Sequence, residues 1–119
     1  MIDALLSRAD FALRLFHLHG EGMALVMVAG GIIARNFVTS RALAGLLQAM
    51  LAVGGFLYPF GYLAWSLMIP ILGLQPSRDL AEAFLWIPFG SAALVAMSVT
   101  ALVLASELLL AAGAAPGDP

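Results

Sequence analysis

Three long apolar stretches with few or no charges most constrain the fold of this 119-residue chain. The first lies between Arg14 and Arg35 and carries polar residues in its opening turns. The second runs from 42 to about 74, and the third lies between Glu82 and Glu107. A helix needs about 20 apolar residues to cross the ~30 Å core of a bilayer. Because lipid offers no partner to backbone groups, the sequence predicts an all-α integral membrane protein with about three transmembrane helices.

The composition supports the same class. Apolar residues make up 63% of the chain and charged residues only 10%. A soluble domain of this size buries too little surface to hide so many apolar side chains, whereas a bilayer surrounds them. We therefore predict one membrane domain, with an amphipathic or membrane-inserted N-terminal helix. Its parts are 1–35 (N-terminal helix and first span), 42–74 (second span), 80–110 (third span) and 111–119 (a tail without an evident task).

Charge and cysteine usage exclude several function classes. The formal net charge of −2 leaves no basic patch for nucleic acid. The absence of cysteine excludes disulfides, thiolate metal sites, iron–sulfur clusters and covalently attached heme. Phosphate-binding glycine loops and nucleophile elbows are also missing, so we expect no catalysis by this chain on its own. A cleavable signal peptide is not expected, since Arg8 and Arg14 would interrupt its apolar core.

The loop between the first two predicted spans indicates the orientation. It carries Arg35 and Arg41 and no acidic residue, which is typical of a cytoplasmic loop. The N-terminus and the turn at 73–79 then face outside. We expect the chain in the bilayer of a bacterial inner membrane.

The second connection contains Pro76, and Ser77 is the expected N-cap of the third helix. Tyr62 and Trp65 lie near the end of the second predicted helix, and Trp86 lies near the start of the third. Aromatic residues at these places are typical of a belt at one membrane interface.

Glycine and proline interrupt the second predicted helix at Gly54, Gly55 and Pro59. Proline frees a carbonyl and bends a helix, while glycine allows a neighbouring helix to approach. The favoured interpretation is a bent packing helix. In the alternative, the bend forms a wall for a ligand beside Tyr58 and Tyr62.

A polar stripe runs along one face of the N-terminal helix, because its members are three or four residues apart. These members are Asp3, Ser7, Asp10, Arg14, His17 and Glu21. In one interpretation the helix lies in the membrane interface with this face wet and bends near 20–22. In the other the helix continues and the stripe faces other helices or a water-filled cleft. Asp10 and Arg14 would then form an ion pair, and His17 and Glu21 a pair able to pass protons.

The two histidines point about 200° apart around a helix, so they cannot both bind one metal or one heme. His17 and His19 are each candidate cofactor ligands, and a metal is not specified by these residues. The face of His19 is mostly small and fits either a flat macrocycle such as heme b or another helix. That face carries Ala12, Gly22, Met23 and Gly30.

The motif His17-Leu-His19 opens an apolar helix with Met23 and a glycine- and alanine-rich continuation. It resembles the His-x-His helices of small relatives of heme–copper oxidase subunit I and of NnrS-type heme-binding membrane proteins. The stretch 54–62 is similar to the glycine- and proline-bearing helix that follows in the oxidase-like proteins. This resemblance implies that His17 and His19 are heme ligands. Those families have more helices and more histidines than this chain.

The leading hypothesis is a small subunit of a larger membrane complex, respiratory or otherwise redox-active, that contributes a heme ligand. Its expected partners are other membrane subunits or further copies of the chain. One alternative is a proton- or ion-conducting transporter component that uses Arg14, His17 and Glu21. The other is a purely structural membrane scaffold.

Overall fold

The computed structural model describes residues 2–113, and these form helices almost throughout. The helices are α1 (Ile2–Phe37), α2 (Arg41–Leu72), α3 (Leu74–Ala81), a π-helical segment (Glu82–Gly90) and α4 (Ser91–Gly113). The last three are continuous and form the third long helix, Leu74–Gly113. All three long helices are long and apolar enough to cross a membrane, which confirms the predicted fold class. Residues 114–119 of the predicted tail lie outside the described residues.

Two hydrogen bonds far apart in the structure show that α1 and α2 pack antiparallel. Near one end Ser66 Oγ donates to the Ala9 carbonyl over 2.7 Å. Towards the other end Gln48 Nε2 donates to the Gly31 carbonyl over 3.1 Å. Polar side chains that bond across helices are an expected source of helix association in lipid. They hold α1 and α2 together along most of their length.

A three-residue loop reverses the chain between α1 and α2. Val38 still donates its backbone N–H to the Ala34 carbonyl, which extends the α1 bonding pattern by one residue. Ser40 has extended backbone angles, and its Oγ accepts a hydrogen bond from the Leu43 N–H over 3.3 Å. Serine is a favoured N-cap because its oxygen satisfies one of the free N–H groups at a helix start.

A glycine pair places the middle of α2 against both of the other long helices. A Cβ atom on Gly54 would lie 2.6 Å from the Phe89 carbonyl oxygen and 2.8 Å from the Ala93 nitrogen, both in the third long helix. A Cβ atom on Gly55 would lie 2.7 Å from Met27 Cγ on α1. The glycines therefore give α2 the packing role that the sequence favours. The helix continues through Pro59, which is buried.

The second connection is shorter than predicted and turns at Gly73. This residue has φ 85°, a backbone angle that favours glycine. Leu74 begins α3, which places Pro76 in the first turn, where its missing N–H is tolerated. The prediction that Ser77 caps the helix is wrong, because Ser77 is buried inside it and its Oγ donates to the Gly73 and Leu74 carbonyls.

The π-helical segment Glu82–Gly90 is a feature that the sequence analysis does not predict. Pro88 lies inside it and has no N–H to donate. A π-turn shifts the backbone bonding partner by one residue, and such turns occur frequently at functional sites. In this chain the segment follows the charged residues of α3 and faces α2.

Small and branched residues form the core where the first loop meets the third long helix. The core consists of Ala34, Val38, Ala44, Leu47, Leu51 and Ala96. Large apolar side chains such as Leu25, Ile71 and Leu102 point outward and are well exposed. Soluble monomers rarely expose extended apolar surface, whereas lipid-facing helices do. The outer surface therefore agrees with three candidate membrane spans.

The glycine contacts lead to a stability prediction. We expect Gly54→Ala to lower the free energy of unfolding by about 1–3 kcal/mol, because the nearest atoms belong to a helix backbone that cannot move aside locally. Gly45→Ala, also in α2, meets nothing within 4 Å and should raise it by up to about 1 kcal/mol. Unfolding in detergent micelles, followed by circular dichroism, measures both. Equal effects of the two substitutions would contradict the packing at Gly54.

Candidate functional site

His19 lies against two tyrosines of α2. Its ring stacks on Tyr62 with a centroid distance of 4.4 Å, and meets Tyr58 edge-on at 5.9 Å. The Nδ1 atom of His19 is 2.8 Å from the Leu15 carbonyl oxygen. Since a carbonyl only accepts, this hydrogen bond places a proton on Nδ1 and leaves Nε2 as the lone-pair nitrogen of the neutral ring.

The aromatic cluster continues from His19 to the third long helix. The hydroxyl oxygens of Tyr58 and Tyr62 are 3.2 Å apart. The Tyr62 and Trp86 ring centroids are 4.8 Å apart, and those of Trp65 and Trp86 are 5.8 Å apart. Gly61 makes this possible, because a Cβ atom there would collide with Trp86 Nε1. Of the three aromatic residues that the sequence places near one interface, Tyr62 and Trp65 each contact Trp86.

A cleft of about 710 Å³ opens beside this cluster, and all three long helices line it. Its lining residues are Phe11, Leu15, Met23, Tyr58, Tyr62, Trp65, Arg78, Glu82, Trp86, Ile87, Gly90, Ser91, Ala93, Leu94 and Met97. The volume falls in the range of small-molecule sites in proteins. Tyr58 and Tyr62 thus line a cavity, as the ligand-wall interpretation of α2 requires.

The polar stripe of α1 lies on its outer face. Arg14 Nε is 3.0 Å from Asp10 Oδ2, and His17 Nε2 is 3.1 Å from Glu21 Oε1. The side chains of His17 and Glu21 are 79% and 69% exposed. The helix continues through 20–22, as in the second interpretation of the stripe, but the side chains face outward, as in the first.

The two candidate ligands point to different sides of α1, as their spacing predicts. His17 is exposed, while His19 is half-buried against α2. The small face of His19 packs against α2 at Met23, which lies near Gly55, and at Gly30, which lies near Leu51, while Gly22 is exposed. Within residues 2–113 no group of three His, Cys, Asp or Glu side chains comes together in a way that could hold a metal ion. Ligation of heme by either histidine stays a prediction.

Comparison with family models, with curated proteins and with solved structures finds no match for this chain. The resemblance to His-x-His heme-binding membrane proteins therefore stays a prediction. Over residues 2–113, the fold and the site define an all-helical protein with three candidate membrane spans, an aromatic cleft and an exposed polar stripe.

The charged end of the cleft was not predicted from the sequence. Glu82 and Arg78 line it, about one and two turns before Trp86 on the third long helix. The signal was the spacing of four residues between these three side chains, which places them on one face. This spacing alone does not predict a site, because the face of the third long helix lines a cleft only when α1 and α2 pack beside it.

The contact between Gly61 and Trp86 can be tested by fluorescence. We expect Gly61→Ala to displace the Trp86 indole, since a methyl group would occupy its position. The tryptophan emission maximum should shift, and the free energy of unfolding should fall by about 1–3 kcal/mol. Gly20→Ala on α1 is the matched control, because nothing lies within 4 Å of its Cβ position. An unchanged emission spectrum in Gly61→Ala would rule out this packing.

Proposed function

We propose that this chain is a small integral membrane subunit of a larger membrane complex, in which a partner covers the polar stripe of α1. The proposal rests on the outward position of two pairs of ionisable side chains on a helix able to cross a membrane. These pairs are Asp10 with Arg14, and His17 with Glu21.

The depth of the stripe supports a covering partner. Glu21 and Arg35 are about 21 Å apart along α1, at 1.5 Å per residue. This is less than the ~30 Å thickness of the hydrocarbon core. If Arg35 lies at one interface, His17 and Glu21 lie at the edge of the core or inside it. Ionisable groups there are costly and normally have a partner or line a wet cavity.

The helices of this chain do not supply that cover in the described part. In residues 2–113, α2 packs on the His19 side of α1, while the His17 side is open. Short connections at 38–40 and at Gly73 leave no room for a soluble catalytic domain between the helices. A neighbouring membrane subunit or a second copy is therefore the expected cover.

The complex should depend on the stripe. We expect the chain to leave the membrane with larger subunits or as an oligomer in mild detergent, and to lose them when both pairs are neutralised. The variant carries Asp10→Asn, Arg14→Gln, His17→Gln and Glu21→Gln. Size-exclusion chromatography with light scattering measures the assembled mass. Since all four side chains are exposed, circular dichroism should show that the helices are retained.

The control neutralises Arg78 and Glu82, the corresponding pair on the third long helix, and should leave the assembly intact. A monodisperse monomer of the unaltered chain would overturn the subunit proposal.

The redox form of the proposal assigns heme b to His19. The hydrogen bond from Nδ1 to the Leu15 carbonyl supports this choice, because ligating histidines usually donate their other ring N–H to a backbone carbonyl or carboxylate. The donor set fits in part, since this chain offers one oriented imidazole and the other axial ligand would come from a methionine or a partner. A bound heme would supply one-electron transfer.

Absorption spectra of the purified assembly test this form. We expect heme bands in the oxidised and dithionite-reduced spectra that are lost in His19→Ala and kept in His17→Ala, because only His19 faces the interior. Bands lost in His17→Ala alone would reverse the assignment. A featureless spectrum of the intact complex would remove the heme and leave a purely structural subunit.

A conducting role for Arg14, His17 and Glu21 has less support. The 3.1 Å contact between His17 and Glu21 is short enough for proton transfer between them. The next positions of the stripe are Ala24, Val28 and Gly31, which carry no group able to pass a proton onward. The subunit proposal therefore explains the stripe better than a proton path does.

A further inference from the structure

We propose that the cleft binds one zwitterionic phospholipid, with its head group at Arg78 and Glu82 and an acyl chain extending towards Met97. This site contains no residue of the polar stripe, so it stands independently of the partner proposed above.

The cleft is long and runs along the helix axes. On the third long helix its lining extends from Arg78 to Met97, roughly 25 Å, because α-helical turns rise 1.5 Å per residue and the π-helical turns rise less. On α1 it extends from Phe11 to Met23 in the same direction. A site of this length suits an extended chain better than a compact ligand.

The polarity of the lining changes from one end to the other. Arg78 and Glu82 form the charged end, and tyrosine and tryptophan side chains follow. Met23, Leu94 and Met97 form the apolar end. Tryptophan and tyrosine prefer the head-group level of a bilayer. The cleft therefore places a polar head at the charged end and an apolar tail towards the centre of the predicted spans.

The charged end complements a head group that carries both signs. Arg78 Nε and Glu82 Oε2 are 3.9 Å apart, and their side chains are 57% and 48% exposed. This is too long for a hydrogen bond, so both groups can bind further partners. A guanidinium matches a phosphate, and a carboxylate matches an ammonium group. Phosphatidylethanolamine provides both, whereas phosphatidylglycerol provides the phosphate but no ammonium group to match Glu82.

The two tryptophans of the chain report directly on this site. Trp65 and Trp86 are the only tryptophans in the sequence, and both line the cleft. Phosphatidylethanolamine with brominated acyl chains, titrated into nonionic micelles of the protein, should quench their fluorescence with saturation. Brominated phosphatidylglycerol should need about tenfold more lipid, a difference of about 1.4 kcal/mol in binding. A short-chain benzoquinone serves as a third probe.

Variants separate binding from random contact. Ser91→Phe introduces a large side chain into the cleft and should abolish saturable quenching. Ser98→Phe is the matched control on the same helix, since Ser98 is exposed and does not line the cleft. Arg78→Gln and Glu82→Gln change only the charged end and should each weaken phosphatidylethanolamine binding about tenfold.

Three results would overturn the proposal. One is quenching that rises linearly with lipid and is equal in Ser91→Phe and Ser98→Phe, because this indicates random contact. Another is that the protein binds the two phospholipids with equal affinity and that Arg78→Gln does not change this affinity. The third is saturable quenching by the benzoquinone alone, which would identify a different occupant. The glutamine variants keep the test decisive if Ser91→Phe fails to fold.

Discussion

The close contact at Gly54 and Gly55 is the constraint on which the other features depend. At this level α2 touches the backbone of the third long helix on one side and Met27 of α1 on the other. One and two turns further along α2, the large side chains of Tyr58 and Tyr62 follow the glycines. Large side chains there keep α1 and the third long helix apart, and the space between them is the cleft. Within α2, Gly54 and Gly55 thus allow the close packing of the helices, and Tyr58 and Tyr62 line the cavity.

The same arrangement gives α1 two different faces. One face carries His19, Met23 and Gly30, which pack against α2, and the Nδ1 atom of His19 bonds to the Leu15 carbonyl of its own helix. The opposite face carries His17 and Glu21, which bond only to each other in the described structure. The first face packs α1 against α2. The second face leaves His17 and Glu21 exposed, which is why we expect the chain to assemble with other membrane proteins.

Much of this could be predicted from sequence because it is local. The length of the charge-free stretches predicts three helices. The spacing of three or four residues between polar side chains predicts the polar stripe of α1 and its two side-chain pairs. Features that depend on several helices could not be predicted. The start of α3 at Leu74 depends on the positive φ of Gly73. The π-helical segment contains Pro88 in the first half of the third long helix, and the charged end of the cleft needs α1 and α2 to complete it.

Cysteine labelling tests whether α2 crosses a bilayer and so separates the two connections between the three candidate spans. The chain has no cysteine, so single substitutions at Thr39, Gln75 and Val28 give an unambiguous signal. An impermeant maleimide should label Thr39→Cys and Gln75→Cys from opposite sides of the membrane, and Val28→Cys from neither. Labelling of Thr39→Cys and Gln75→Cys from the same side, or rapid labelling of Val28→Cys, would show that these helices do not cross the bilayer as proposed.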